Sequence, residues 1–417
     1  MAEPDLVASG TARVEWADRA MPVLREIRSR FAAERPLAGK RVAMCMHVTA
    51  ETANLARTLA AGGATVALAA SNPLSTQADT AAALGAAYDV GVFAGDPTDA
   101  DMATYYKNIH AALDVGPHLV LDDACDLITT LHTERTALID DVIGGCEQTT
   151  TGLVRLRAMH RSGALRIPVV EVGSSGTKQL FDNTYGTGQS VLEAVLHASN
   201  LLLAGRTVVV AGCGYCGRGV AARAAGLGAS VIVTEIDPLR ALDATLNGFT
   251  VLPMDDAARR GDVIITVTGN RDVVTTEHLA LVRDGAVLAN GGHFDVEIDV
   301  RALAAAAVEV RRDVRPGADE YVLADGRRVL LLASGRVANL GAGEGHPPDV
   351  MDLAFADQAL ATEWLAGAGG SLEAGVYDVP AEIDAAVARG KLGAMSIGID
   401  TPTDSQIAYL DAWEQGS

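Results

Sequence analysis

The sequence predicts an α/β protein with mainly parallel sheets, and three observations carry that expectation. Strand and helix signals alternate along nearly the whole chain, as in βαβ architectures. At 417 residues and 49% hydrophobic content, the chain is long enough for two or three domains, each with its own core. The stretch 207–238 reads as strand, glycine-rich turn, helix and second strand, one complete βαβ unit.

The elements follow in order. The first 31 residues are charged and amphipathic and lack the apolar segment of a secretion signal, and no uninterrupted apolar span reaches membrane length, so a cytoplasmic protein without a membrane partner is expected. "RVAMCMHV" (41–48) reads as a buried strand, "AETANLARTLAAGG" (50–63) as a helix closed by glycine, and "ATVALAAS" (64–71) as the next strand. "HLVLDDACDL" (118–127) looks like a further strand ending in carboxylates, and "IPVVEV" (167–172) like another. Residues at the carboxyl ends of parallel strands line the ligand crevice, so His47, Asp122, Asp123 and the segment leading into Lys178 are expected to converge. "TKQLFDN" (177–183) should be helical, which puts Lys178 and Asp182 four positions apart on one face. As a surface ion pair they would contribute only a few tenths of a kcal/mol.

In 207–238, Gly212, Gly214 and Gly217 stand in GxGxxG spacing after a strand and before a helix, with Glu235 at the end of the second strand. That context makes an otherwise weak motif specific for a dinucleotide. Gly212 makes the tight turn, Gly214 lets the backbone approach a pyrophosphate, Gly217 lets helix and sheet pack closely, and the helix N-terminus favours the anion. Glu235 should bind the adenosine ribose hydroxyls and repel a 2′-phosphate, so NAD is expected over NADP. The strands in 262–274 and 285–299 end in Thr268, Gly269, Asn270 and in Asn290, Gly291, Gly292, small polar residues suited to the nicotinamide half, and His293 beside them is an acid/base candidate.

Charge and cysteines exclude other classes. A formal net charge of -20 without a cluster of Lys and Arg argues against nucleic acid and for a small-molecule ligand. Five scattered cysteines make a disulfide framework unexpected. Cys213 and Cys216 form a CxxC, but its interleaved glycines serve the dinucleotide turn and no second ligand pair accompanies it, so no metal is expected.

"HVTAETANL", "NPLSTQ", "TTTGLVRLRAM", "TKQLFDNTYGTGQS", "AGCGYCGRG", "VTEIDP", "GGHFDVEID" and "GEGHPPDVMD" resemble the S-adenosyl-L-homocysteine hydrolase family, in order and over nearly the whole chain. The resemblance implies a split substrate-binding α/β domain (1–182 and 346–417) with an inserted Rossmann NAD-binding domain (183–345), hinged near Asn183 and Gly345. It also implies a homotetramer, or a homodimer, acting on an adenine nucleoside. This chain stops at "YLDAWEQGS" and resembles the short-tailed members, which lack the Lys and Tyr that reach a neighbour's NAD.

The implied chemistry is oxidation at the ribose C3′, elimination of the 5′ substituent across C4′ and C5′, water addition and re-reduction. Lys178 and Asp182 match the pair at the 3′-hydroxyl, Asp123 the carboxylate near C4′, and His47 the residue near C5′. Thr49, Glu51 and His346 match adenine contacts, while Thr149, Thr150, Thr151, Asn183 and Asn339 match contacts to NAD. Gln148 replaces a glutamate of the family's Glu-Glu-Thr-Thr-Thr motif that accepts from the 2′-hydroxyl, and Gly173 and Ser174 replace Asn-Asp. Thr187 stands for a cysteine of some members, and "STQAD" and "DDACD" are smaller departures. Because the main changes fall on the wall facing C1′ to C3′, the sequence favours a dehydratase acting on a modified adenine nucleoside, as in nucleoside-antibiotic synthesis, over an authentic adenosylhomocysteinase.

Overall fold

A computed structural model describes residues 3–72, 75–95, 101–368 and 370–413. Pro73 and Leu74 of the "NPLSTQ" motif and the last four residues of the tail lie outside that range.

Two sheets organise the chain. The first comprises β1 (Arg41–Met46), β2 (Thr65–Ala70), β3 (Gly91–Phe93), β4 (Leu119–Asp122), β5 (Gly144–Glu147), β6 (Pro168–Glu171) and, returning from the C-terminal part, β15 (Gly375–Asp378). Its order is β15-β6-β5-β4-β1-β2-β3, and every neighbouring pair is parallel. The second comprises β7 (Thr207–Ala211), β8 (Ser230–Thr234), β9 (Thr250–Val251), β10 (Val263–Thr266), β11 (Ala286–Asn290), β12 (Ala307–Arg315), β13 (Ala318–Leu323) and β14 (Arg328–Leu332), in the order β12-β13-β14-β11-β10-β7-β8-β9. It is parallel except where β13 runs antiparallel to both β12 and β14. The α/β expectation is met.

The strands are short runs of Val, Ile, Leu and Ala because parallel sheets covered on both faces bury nearly every strand side chain. Thus β4, β5, β6 and β10 are buried throughout. Strand order reverses at β1, which lies between β2 and β4, and again at β7, which lies between β8 and β10. Such switch points leave a crevice at the strands' carboxyl ends.

Two local expectations need correction. The 118–127 stretch is a strand only to Asp122, because Ala124 (φ 95°) and Cys125 (φ 67°) take left-handed conformations and a helix starts at Asp126. The Lys178–Gly186 segment is a π-helix that runs into the Thr187–Ser199 α-helix. The wider turn changes which side chains meet the Lys178 amine.

Candidate active site

The first half of the site stands at the β1/β4 switch point. Asp122, fully buried at the end of β4, accepts from the Asp123 and Ile128 amides (3.0 and 2.8 Å), and so holds the turn that carries Asp123. Glu147 at the end of β5 accepts from the Ala124 and Thr149 amides and the Thr149 hydroxyl, each at 2.9 Å. Burial raises both carboxyls, reinforced at Glu147 by Asp122 and at Asp122 by Asp126. Glu147 was not singled out from the sequence. Adjacency to the threonines gives no hint that its side chain turns inward to their backbone.

His47 follows β1. Its Nδ1 lies 2.7 Å from Ser75 Oγ and its Nε2 3.3 Å from Asp123 Oδ2. Burial lowers its pKa to about 4, outweighing the opposite pull of Asp123, so the ring is neutral at pH 7. His293 is 5.5 Å away, centroid to centroid. One ligand atom from each of His47, Asp123 and His293 lies within 4.8 Å of the others, three of the donors a zinc ion takes. The same spacing suits transfer of a proton between His47 and Asp123.

The π-helix supplies the second half. Lys178 Nζ donates to Asn183 Oδ1 in a short contact and lies 3.3 Å from Asp182 Oδ1. With i to i+5 bonding, both following residues reach one amine, and all three are buried. Burial alone would raise the Asp182 carboxyl, but Lys178 and His346 outweigh it and hold the pKa at about 2. The pair is therefore no surface ion pair. Asn183, expected at NAD, spends its carbonyl on Lys178. His346, expected at adenine, sits 3.2 Å from both Asp182 Oδ1 and Thr187 Oγ1, and Asn339 Nδ2 donates to its Nδ1 at 3.0 Å.

One cavity is lined by His47, Asp123, Lys178, Asp182, His293 and His346, together with Thr49, Glu51, Gln148, Thr149, Asn183 and Asn339. Burial raises the Glu51 carboxyl. Asp123 Oδ1, both polar atoms of Gln148, His293 Nε2 and Asn339 Oδ1 are buried there without a partner among the described residues. Buried polar groups normally have partners, so this concentration marks a surface built for a polar ligand. Gly173 lines none of it. A Cβ at Gly173 would meet the Gln148 carbonyl oxygen at 2.8 Å and the Thr149 carbonyl carbon at 3.1 Å, so this glycine serves backbone packing.

The β7/β10 switch point carries the dinucleotide signature. Gly212 has φ 99°, Gly214 opens the Tyr215–Gly226 helix without a side-chain cap, and a Cβ at Gly217 would lie 1.9 Å from the Gly212 carbonyl oxygen. The first helical amides are thus left for an anion. Glu235 follows β8 and accepts from the Cys213 amide at 2.7 Å, which places it against the same turn. This cradle fits a dinucleotide. Thr268 gives its hydroxyl and amide to Glu297 (2.7 and 3.0 Å), and the Gly269 amide also bonds Glu297, a buried residue the sequence reading passed over. Asn270 is exposed. Asn290 is fully buried and wholly engaged: its Nδ2 donates to the Phe294 and Gly335 carbonyls, and its Oδ1 accepts from the Gly292 amide. Thr149 caps the Thr150–Arg161 helix, whose first turn holds Thr150 and Thr151.

Residues 183–345 match the family model for the S-adenosyl-L-homocysteine hydrolase NAD-binding domain, and residues 1–142 match that for S-adenosyl-L-homocysteine hydrolase. The chain belongs to the S-adenosyl-L-homocysteine hydrolase family. It therefore carries the NAD-binding domain of an NAD-dependent hydrolase family. A protein named adenosylhomocysteinase from Aquifex aeolicus (strain VF5) is 53% identical over 99% of this chain and 98% of its own length. One of the same name from Saccharolobus solfataricus is 50% identical over 99% of this chain and 98% of its own. An S-inosyl-L-homocysteine hydrolase from Methanosarcina acetivorans is 51% identical over the full length of both chains.

These relatives overturn the dehydratase expectation. Proteins 50 to 53% identical along the chain are named adenosylhomocysteinase. The structure supplies the physical reason, since Gly173 opens no space beside a sugar and Gln148, which lines the cavity, keeps a side chain of glutamate size. No helix among the described residues is long and apolar enough to cross a membrane.

Proposed function

We propose that the chain hydrolyses S-adenosyl-L-homocysteine to adenosine and homocysteine. The observation that carries this reading is the set of unpaired buried polar atoms around one cavity that also holds Lys178, Asp182 and the His47/Asp123 pair. NAD, held by the Gly212–Gly217 turn, the following helix N-terminus and Glu235, supplies a reversible hydride acceptor for the ribose C3′. Lys178 Nζ, fixed by Asp182 and Asn183, takes the 3′-hydroxyl proton as the neutral amine, the form that has a lone pair to accept it. A C3′ ketone acidifies C4′–H, and Asp123 removes that proton. The proton crosses the 3.3 Å contact to neutral His47, which delivers it to sulfur as the C5′–S bond breaks. Water then adds across the alkene, with the same two groups moving its proton in reverse, and the C3′ ketone is reduced back to the alcohol as Lys178 returns its proton to the oxygen.

The domain limits at 182/183 and 345/346 and the hinges beside them belong to this proposal. So does a homotetramer or homodimer, a reading supported by exposed Ile399, Leu410 and Trp413 near the C-terminus.

Incubation of the NAD-loaded enzyme with S-adenosylhomocysteine should release adenosine and a free thiol in equal amounts, at an efficiency of ~10⁴ M⁻¹s⁻¹ or above. Absence of thiol would overturn the reading. The inosyl compound deserves a parallel assay because full-length relatives carry that name. Glu51 is the proposed discriminator, since a carboxyl oxygen accepts from an adenine amino group while hypoxanthine presents a carbonyl there. Glu51→Gln, which adds a donor, is expected to shift the adenosyl:inosyl preference toward inosyl by about tenfold or more, the scale of one misplaced hydrogen bond. An unchanged ratio would remove Glu51 from base recognition.

A further inference from the structure

The turn that delivers Lys178 to the cavity is held from below by two carboxylates and one hydroxyl. Asp384 accepts from the Gly176 and Thr177 amides (3.0 and 2.9 Å) and also lies in a short contact with Thr177 Oγ1. Asp357, fully buried on the Pro348–Ala368 helix, brings its Oδ2 within 2.5 Å of the same Thr177 Oγ1 and 2.7 Å of Ser175 Oγ. Ser175 Oγ in turn accepts from the Lys178 amide at 3.2 Å.

A threonine hydroxyl has one hydrogen and cannot donate to two carboxylates. If both were ionised, one of these contacts would set a charged oxygen against a lone pair. Asp384 is half-buried and takes two amide donors, an arrangement that suits the anion. Asp357 has no cation beside it, and its Oδ1 has no partner among the described residues. Among the charged groups on the elements packed against its helix, Lys178 is paired with Asp182, Arg30 with Glu363, Arg28 with Asp18 and Lys391 with Asp352, and Glu147 accepts from the Ala124 and Thr149 amides. Glu51 lines the cavity.

We propose that Asp357 is a neutral acid in the working enzyme, donating its proton to Thr177 Oγ1, which donates onward to Asp384, and that this bridge makes Asp357 a positioning residue for Lys178. The bridge spans the polypeptide return, tying residues 175–177 to two helices from the far end of the chain. Burial, reinforced by the Asp384 charge against the opposing Thr177 and Ser175 hydroxyls, pushes the Asp357 carboxyl up to about 7. Its link to catalysis rests on the role of Lys178 given above.

The sign of the pH effect follows from that shift. A carboxyl raised from its ordinary 3.8 to about 7 keeps a proton in the folded chain that the unfolded chain releases. Its stabilisation is complete below pH ~4 and is lost as pH rises through about 7. In the NAD-loaded protein, the melting temperature of wild type should fall more between pH 5 and pH 8 than that of Asp357→Asn, whose amide donates to Thr177 at every pH. Parallel curves would overturn the proposal. This comparison needs no turnover, so it stands or falls separately from the hydrolase reading.

With S-adenosylhomocysteine as substrate, wild-type turnover should decline as pH passes about 7, and Asp357→Asn should lose that decline while matching wild type within about threefold below it. Asp357→Leu, which has no donor, should lie about tenfold or more below both at every pH, the effect of a misplaced catalytic amine. An Asn variant as impaired as the Leu variant would show that the anion is required, against the proposal. Should the Leu variant fail to fold, the wild-type and Asn profiles still decide.

Discussion

Lys178→Ala lowers turnover by ~10²-fold or more while NAD remains bound, the expected loss when general-base assistance is removed. The amine lies in the cavity, is buried, and is gripped by Asp182 and Asn183 from successive positions of the π-helix. None of its hydrogen bonds reaches the Gly212–Gly217 turn, so cofactor retention should not depend on it. The check is rapid mixing of variant and substrate with absorbance of the reduced cofactor followed in time. Wild type should show a transient without accumulation, and the variant should show none. Turnover retained within about tenfold would reduce the Lys178 cluster to a structural one.

Gly217→Val should release NAD. A Cβ at this position would stand 1.9 Å from the Gly212 carbonyl oxygen, a backbone atom that cannot swing aside as a side-chain tip does. Relieving the clash has to open the turn that cradles the pyrophosphate. Overpacking of this kind costs about 1 to 3 kcal/mol, equivalent to roughly 5- to 150-fold weaker binding. Titration with NAD should show that loss, and added NAD should partly restore turnover because Lys178, Asp123 and His47 are untouched. Purification of the variant with a full complement of NAD would refute the assigned role of the turn.

The two halves of the site differed in how much the sequence revealed. The dinucleotide cradle was legible because its requirements are local: a turn with positive φ at Gly212, a close approach at Gly217 and an acid after the next strand all fall within 32 residues. Lys178, Asp182, Asp123 and His47 were legible as residues near strand ends, and the crevice they share follows from strand order. The wall around Gln148 and Gly173 was misread. A missing side chain suggests empty space when only the sequence is in view, whereas here the Gln148–Thr149 backbone already fills the place of a Cβ.

The sequence by itself determined the α/β class, the GxGxxG turn with Glu235, and the family, because each is written in consecutive residues whose spacing is fixed by covalent geometry. Only the tertiary structure decided that Lys178 meets Asn183 as well as Asp182, since a π-turn in place of an α-turn depends on what packs around it. Only it brought Asp357 and Asp384 under Thr177, across 180 and 207 residues of chain. Only it turned Glu147 and Glu297 inward as anchors for the Asp123 and Thr268 loops. Buried carboxylates of this kind take their donors wherever folding leaves unpaired amides and hydroxyls. That choice depends on three-dimensional proximity, which residue order alone does not specify.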